Sequence, residues 1–279
     1  MSWLLDPLAY AFMQRGLVAS ILIGVICSVI GCYVVLRGLA FLGDALAHAI
    51  LPGIAIAYLL QGNLFLGALI AAIVVALLIG FFSRQGVIRE DTAIGIIFAA
   101  ALSLGVALIS TIQTYAVDLT HILFGNVLGV STADLWFIGG LSMIVLACVR
   151  IFYKPLLLIS FDPILAATLR WPTELLRNLL LVLLALTIVG SLQTVGVGLV
   201  AAMLVTPAAT AYLLTRRLPS MMALAAFFGG LSSVIGLYAS YYLNIASGAA
   251  VVLVATVFFF IAFIFSPNKG LARQFIKKA

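Results

Sequence analysis

The feature that most constrains this chain is a succession of long apolar runs separated by short breaks. Nine such runs lie near 17–36, 41–60, 64–82, 92–112, 134–153, 178–192, 195–214, 220–241 and 247–266. Most approach the ~20 apolar residues that a helix needs to cross the hydrocarbon layer of a bilayer. Only 8% of the residues are charged, against roughly a quarter in soluble domains. So much apolar surface is stable only where lipid is the main solvent. The expected fold is an all-α, polytopic transmembrane helical bundle of about nine spans, with residues 1–279 forming one transmembrane unit. Glycines are plentiful within the runs (Gly24, Gly31, Gly67, Gly80, Gly139, Gly140, Gly229, Gly230), as expected where helices pack closely without a hydrophobic drive between them. No internal repeat is visible, which disfavours the inverted-repeat carriers.

The net charge of +6 invites a nucleic-acid reading, but the basic residues are confined to the breaks between apolar runs. That distribution is a topology signal, because Lys and Arg of short loops stay on the cytoplasmic side. With the C-terminus inside, Lys269, Arg273, Lys277 and Lys278 are cytoplasmic, and so are Arg37, Arg84, Arg89, Arg150, Lys154, Arg170, Arg177, Arg216 and Arg217. Arg15 alone is left outside, and the N-terminus faces out. The first residues carry Asp6 and no basic region, so a cleaved signal peptide is not expected. Cys27, Cys32 and Cys148 lie inside apolar runs without CxxC spacing and are expected to be small buried hydrophobes.

An ionisable side chain within a span is by default a functional candidate. Six of the eight acids have ordinary explanations. Asp6 is near the N-terminus, and Glu90 and Asp91 open the fourth run, Asp91 in the position of a helix cap. Asp134 follows Ser131 in a capping-box pattern, while Asp162 and Glu174 lie in the long inner loop. Asp44 and Asp118 remain. The chain has two histidines, and each accompanies one of these acids. Asp44 and His48 are four residues apart inside the second run and share a helix face. Asp118 and His121 are three apart in an outer segment. Carboxylate with imidazole is a ligand set that suits Mn, Fe and Zn; the ordinary alternative is a hydrogen-bonded pair that ties helices together. The segment 116–130 is apolar but too short to span, the length of a re-entrant element. If it dips inward, the two pairs converge; otherwise they are successive stations.

The chain lacks GxxxxGK[ST], GxGxxG, HExxH and GxSxG, so neither nucleotide hydrolysis nor intramembrane proteolysis is expected of it. The longest inner loop, about 154–177, contains Phe161-Asp162-Pro163-Ile164-Leu165-Ala166-Ala167-Thr168-Leu169-Arg170. It is expected to form a short helix with Asp162 at the N-cap and Pro163 at the first position. Such a helix suits docking into a partner's groove, or else lies on the lipid surface.

The run Leu36-Arg-Gly-Leu-Ala-Phe-Leu-Gly-Asp44-Ala-Leu-Ala-His48-Ala-Ile-Leu-Pro52-Gly53 resembles the signature region of membrane subunits of zinc and manganese, and some iron, ABC importers. So do His121-Ile-Leu-Phe-Gly-Asn126-Val-Leu-Gly129 and Gly196-Val-Gly-Leu-Val-Ala-Ala-Met-Leu-Val-Thr206-Pro207-Ala-Ala-Thr-Ala211. The match runs in order across nearly the whole chain. This resemblance implies a homodimeric permease core related in fold to the vitamin B12 importer, in a bacterial inner (cytoplasmic) membrane. It also implies two copies of a cytoplasmic ABC ATPase and an extracytoplasmic metal-binding protein as partners, and no nucleic acid. Asp44 and His48 match the family's intramembrane metal-handling positions, with Asp118 and His121 as companions. Asp162, Pro163, Ala166 and Arg170 fall where the family places its coupling helix. The implied cargo is a divalent Mn, Zn or Fe ion held transiently, with no permanent cofactor. The competing functions are a stand-alone metal channel or carrier, and an ABC permease for a metal chelate or vitamin. Pro52 and Pro207 are candidates for kinks.

Overall fold

A computed structural model of the protein describes residues 6–84, 89–111 and 129–266. Among these the regular elements are helices, with no strand. After a 3-10 turn at Pro7–Ala9 come α1 (Ala11–Leu36), α2 (Phe41–Ala49), α3 (Leu51–Leu59), α4 (Leu64–Arg84) and α5 (Glu90–Ser110). They are followed by α6 (Thr132–Ile151), α7 (Tyr153–Phe161), α8 (Pro163–Thr168), α9 (Thr173–Val195), α10 (Val197–Leu214), α11 (Leu218–Leu243) and α12 (Ser247–Phe265). Nine spans are long and apolar enough to cross a membrane among the described residues, with α2 and α3 together making the second.

The core is organised around α1, which packs against α10 and α11 most extensively. Small residues make that closeness possible. A Cβ on Gly31 would land on the backbone carbonyl of Leu204 in α10, and one on Gly24 would meet the carbonyl of Gly229 in α11 at 2.8 Å. Buried hydroxyls join the same seam. Ser28 donates to the Met203 carbonyl (3.4 Å), and Ser233 lies 2.9 Å from the Ser20 carbonyl. Away from this seam the outer helices α5, α6 and α12 present their apolar faces outward, as lipid requires.

Several boundaries differ from those expected. The first span starts at Ala11 rather than near 17, and the sixth covers Thr173–Val195 rather than 178–192. In both cases a charged residue truncates the apolar run without ending the helix. Arg15, for instance, turns its Nε back to the Ala11 carbonyl (3.2 Å) within the first turns. The second run breaks at Ile50, one residue before α3 begins with Pro52 in its first turn, where the missing N–H does no harm. Pro207 lies inside a continuous α10. Gly38 at φ +71° turns the chain between α1 and α2, and Gly196 at φ +80° is the sole residue between α9 and α10. Both conformations favour a residue without Cβ.

Helix starts follow the sequence closely in two places. Ser131 and Asp134 form a reciprocal capping box, each side chain engaging the other's backbone N–H. Asp162 accepts from Leu165 N–H (2.9 Å) and Pro163 is the first residue of α8. Asp91 is not the cap of α5: Arg89 occupies that position, and Glu90 and Asp91 sit in the first turn, where carboxylates favour the positive end of the helix dipole. The region 154–177 is also more ordered than a loop, because α7 precedes α8 and packs back onto α1, α6 and α9.

Candidate functional site

The chemistry-bearing pair of the second span lies on α2. Of that helix, Leu42, Gly43, Ala45, Leu46, Ala47 and Ala49 are buried. Asp44 and His48, one turn apart, stay open, with side-chain exposures of 45% and 33%. His48 Nε2 and Asp44 Oδ1 are 3.7 Å apart, beyond the length of a made hydrogen bond. Neither side chain has a hydrogen-bond partner among the described residues, so no hydrogen bond there ties either of them to another helix. The two present an acid and an imidazole side by side on one open helix face. Among the described residues, no cluster of three or more His, Cys, Asp or Glu side chains could hold a metal ion. One chain thus contributes two donors from this segment. Asp118 and His121, with most of the segment 116–130, lie outside the described residues.

The aromatic ring of Phe98 on α5 borders the pair. It meets His48 with ring centroids 6.3 Å apart and Phe41 edge-on at 5.5 Å. Phe41, Asp44 and His48 fall on one face of α2, so Phe98 spans the two turns that hold the acid. At the foot of α5, Glu90 receives Arg37 Nη2 at 3.1 and 3.0 Å on its two oxygens. This pair joins the end of α1 to the start of α5. Sequence reasoning missed both Phe98 and Glu90: neither an aromatic contact nor an ion pair between residues 53 positions apart leaves a local signature.

Arg37 and Glu90 also line a cavity of about 500 Å³ with Ser160, Pro163, Thr173 and Arg177. The pair and the start of α8 thus face one cavity. Arg177 reaches from α9 to the Gly80 carbonyl of α4 (2.5 Å), fastening the same end of the bundle. On α8 itself, Ala166 is fully buried and turned toward α7 and α9, while Arg170 takes a left-handed φ of +59° just past the helix. The outward face is carried by residues not singled out from sequence. Ile164 is 77% exposed, with Phe161, Leu165, Leu169 and Trp171 beside it. An exposed apolar face on a short, capped helix suits either a partner's groove or a lipid surface.

A bundle of long apolar helices that keeps an acid and an imidazole open on one span has the build of a membrane permease. Comparison with known proteins places it more narrowly. The family model described as the ABC 3 transport family matches residues 9–266, and the chain belongs to that family. The manganese transport system membrane protein MntC of Halalkalibacterium halodurans is 50% identical over 268 residues, covering 96% of this chain and 92% of the relative. The structure of PsaBC from Streptococcus pneumoniae in complex with Fab superimposes with a TM-score of 0.86 at 38% identity, covering 100% of this chain and 99% of that one. An ABC transporter solved in an inward-facing conformation shares the fold at 14% identity, with a TM-score of 0.73 over 90% of this chain and 85% of its own.

Proposed function

We propose that this chain is the membrane-spanning subunit of an ATP-driven importer for a divalent transition metal, with manganese as the first candidate cargo. The observation that carries the reading is the open Asp44–His48 pair on an otherwise buried helix, supported by the manganese transport named in its MntC relative. Borderline to hard divalent ions accept carboxylate oxygen and imidazole nitrogen together, and geometry rather than raw affinity sorts them. Two donors from one chain bind a fast-moving cargo weakly. A second copy across a two-fold axis doubles the set, with Asp118 and His121 of each copy as further stations. A site assembled in this way releases its ion when the two halves part, which a closed tetrahedral cage does not.

In this reading residues 1–279 form one permease domain, with the C-terminus in the cytoplasm of a bacterial cell and the bundle in its inner membrane. Two copies of a separate ABC ATPase dock on the exposed apolar face of α8, and an extracytoplasmic binding protein delivers the metal from the other side. Asp162 and Pro163 hold the start of α8 in place, Ala166 seats it on the bundle, and Arg170 ends it. Nucleotide-driven movement of the ATPase reaches the bundle through this helix.

The test is uptake of radioactive manganese into proteoliposomes holding the chain with its ATPase, with zinc and ferrous iron as competitors. Uptake should require ATP and vanish in Asp44→Ala and His48→Ala. Uptake by the chain alone would establish a channel or carrier instead. Uptake retained in both variants would remove the site.

A further inference from the structure

α5 touches the metal-handling segment at three heights. At its foot Glu90 holds Arg37, which precedes α2 by a few residues. Two turns higher, about 12 Å along a helix rising 1.5 Å per residue, Phe98 meets Phe41 and His48 on either side of Asp44. Higher still, a Cβ on Gly105 would lie 2.7 Å from Leu51 Cβ and 3.0 Å from the Pro52 nitrogen, so the helix rides against the α2–α3 break. The Arg37–Glu90 pair is largely shielded, with side-chain exposures of 11% and 24%. It borders the cavity that Pro163 of α8 also lines.

We propose that Phe98 is a positioning residue for His48, and that the Arg37–Glu90 ion pair is the tether that sets the height of Phe98 against it. The inference rests on the importer reading above. His48 has no hydrogen bond among the described residues to fix its ring. In metal sites that task normally falls to a second group bonded to the imidazole. Here the Phe98 ring takes that place by contact. The tether lines the same cavity as Pro163 at the start of α8, so a rearrangement of that cavity shifts α5 against α2. The ring then slides along the face that bears Asp44 and His48, changing how both can approach an ion.

The experiment uses the complex of this chain with its ATPase in proteoliposomes, reading manganese half-saturation, maximal uptake and ATP turnover separately. Phe98→Leu should raise the half-saturating manganese concentration about tenfold, the scale at which outer partners tune metal sites, with ATP turnover retained. Phe98→Tyr, which keeps the ring, should return half-saturation to within about threefold of the parent on the same scale. Glu90→Gln should lower the manganese moved per ATP hydrolysed, and the exchange of charges in Arg37→Glu with Glu90→Arg should restore it. If the exchanged pair does not accumulate as folded protein, Glu90→Gln, of unchanged length, decides the matter alone. Half-saturation unchanged in Phe98→Leu, or transport per ATP unchanged in Glu90→Gln, would overturn the proposal. Preserved uptake in Asp44→Ala and His48→Ala would instead defeat the importer site itself, whatever Phe98 does.

Discussion

The α1–α10–α11 seam and the α2–α5 contact are built by opposite rules. In the seam, glycines let backbones touch, hydroxyls donate to carbonyls of the neighbouring helix, and 72% of the α1 window is buried. Such contacts have few alternative arrangements, since a backbone pressed on a backbone cannot slide without opening a void. Along α5 only 22% of the corresponding window is buried. Its partners are an ion pair, an aromatic edge and one close glycine. The ion pair and the aromatic edge are contacts through side-chain tips, which tolerate small shifts of one helix past the other. Gly105 holds the far part of α5 close to the α2–α3 break. The difference teaches that the chain divides its labour between a fixed frame and an adjustable flank, and that its open acid and imidazole sit on the flank.

This division can be broken in order of expected effect. Gly31→Val puts a branched side chain where the Leu204 carbonyl already lies, so folded protein should fail to accumulate, as read by yield on size exclusion in detergent. Asp44→Ala should leave that yield and the melting temperature unchanged, while lowering uptake by more than the about 10–100-fold lost with outer partners of a metal. A loss of folded protein in this variant would place Asp44 in the frame. Asp162→Ala removes the cap of α8, which is worth about 0.5–2 kcal/mol to a helix start. ATPase association, followed by co-purification under increasing salt, should weaken by a corresponding amount while the membrane bundle melts as before. Gly95→Ala is the smallest change, because a Cβ there meets nothing within 4 Å. It should be neutral or stabilise α5 by up to about 1 kcal/mol, and a marked loss of folding would show that α5 is packed as tightly as α1.

Much of this was legible in the sequence, for reasons specific to each element. A span must be long and apolar whatever surrounds it, so the nine runs stand out by themselves. Asp162-Pro163 and Ser131-x-x-Asp134 announce helix starts because capping is a local hydrogen-bond problem. Asp44 and His48 were visible because four residues is one helical turn and charge in an apolar run is rare. What stayed hidden is what depends on distant partners. In the sequence Glu90 looks like an ordinary first-turn acid, and only the fold brings Arg37 to it. The outward face of α8 was missed because Ile164 and Ala166 are equally apolar on paper, and only packing decides that the first is exposed and the second buried. The break at Ile50 was masked by an unbroken apolar run, and the early residues of α9 by Glu174 and Arg177.

One corner of the molecule carries a further consequence. α9 and α10 meet at the single residue Gly196, whose N–H still bonds the Leu192 carbonyl (2.9 Å) while its own carbonyl receives Val200 N–H (3.3 Å). With no connecting loop, these two helices have to enter the bilayer together as one hairpin during synthesis. Val195, Gly196 and Val197 are buried, so the turn itself offers neither protease nor antibody a handle. An epitope tag inserted there would have to prise the hairpin open, whereas the αL turn at Asn244, between α11 and α12, is the more forgiving place to put one.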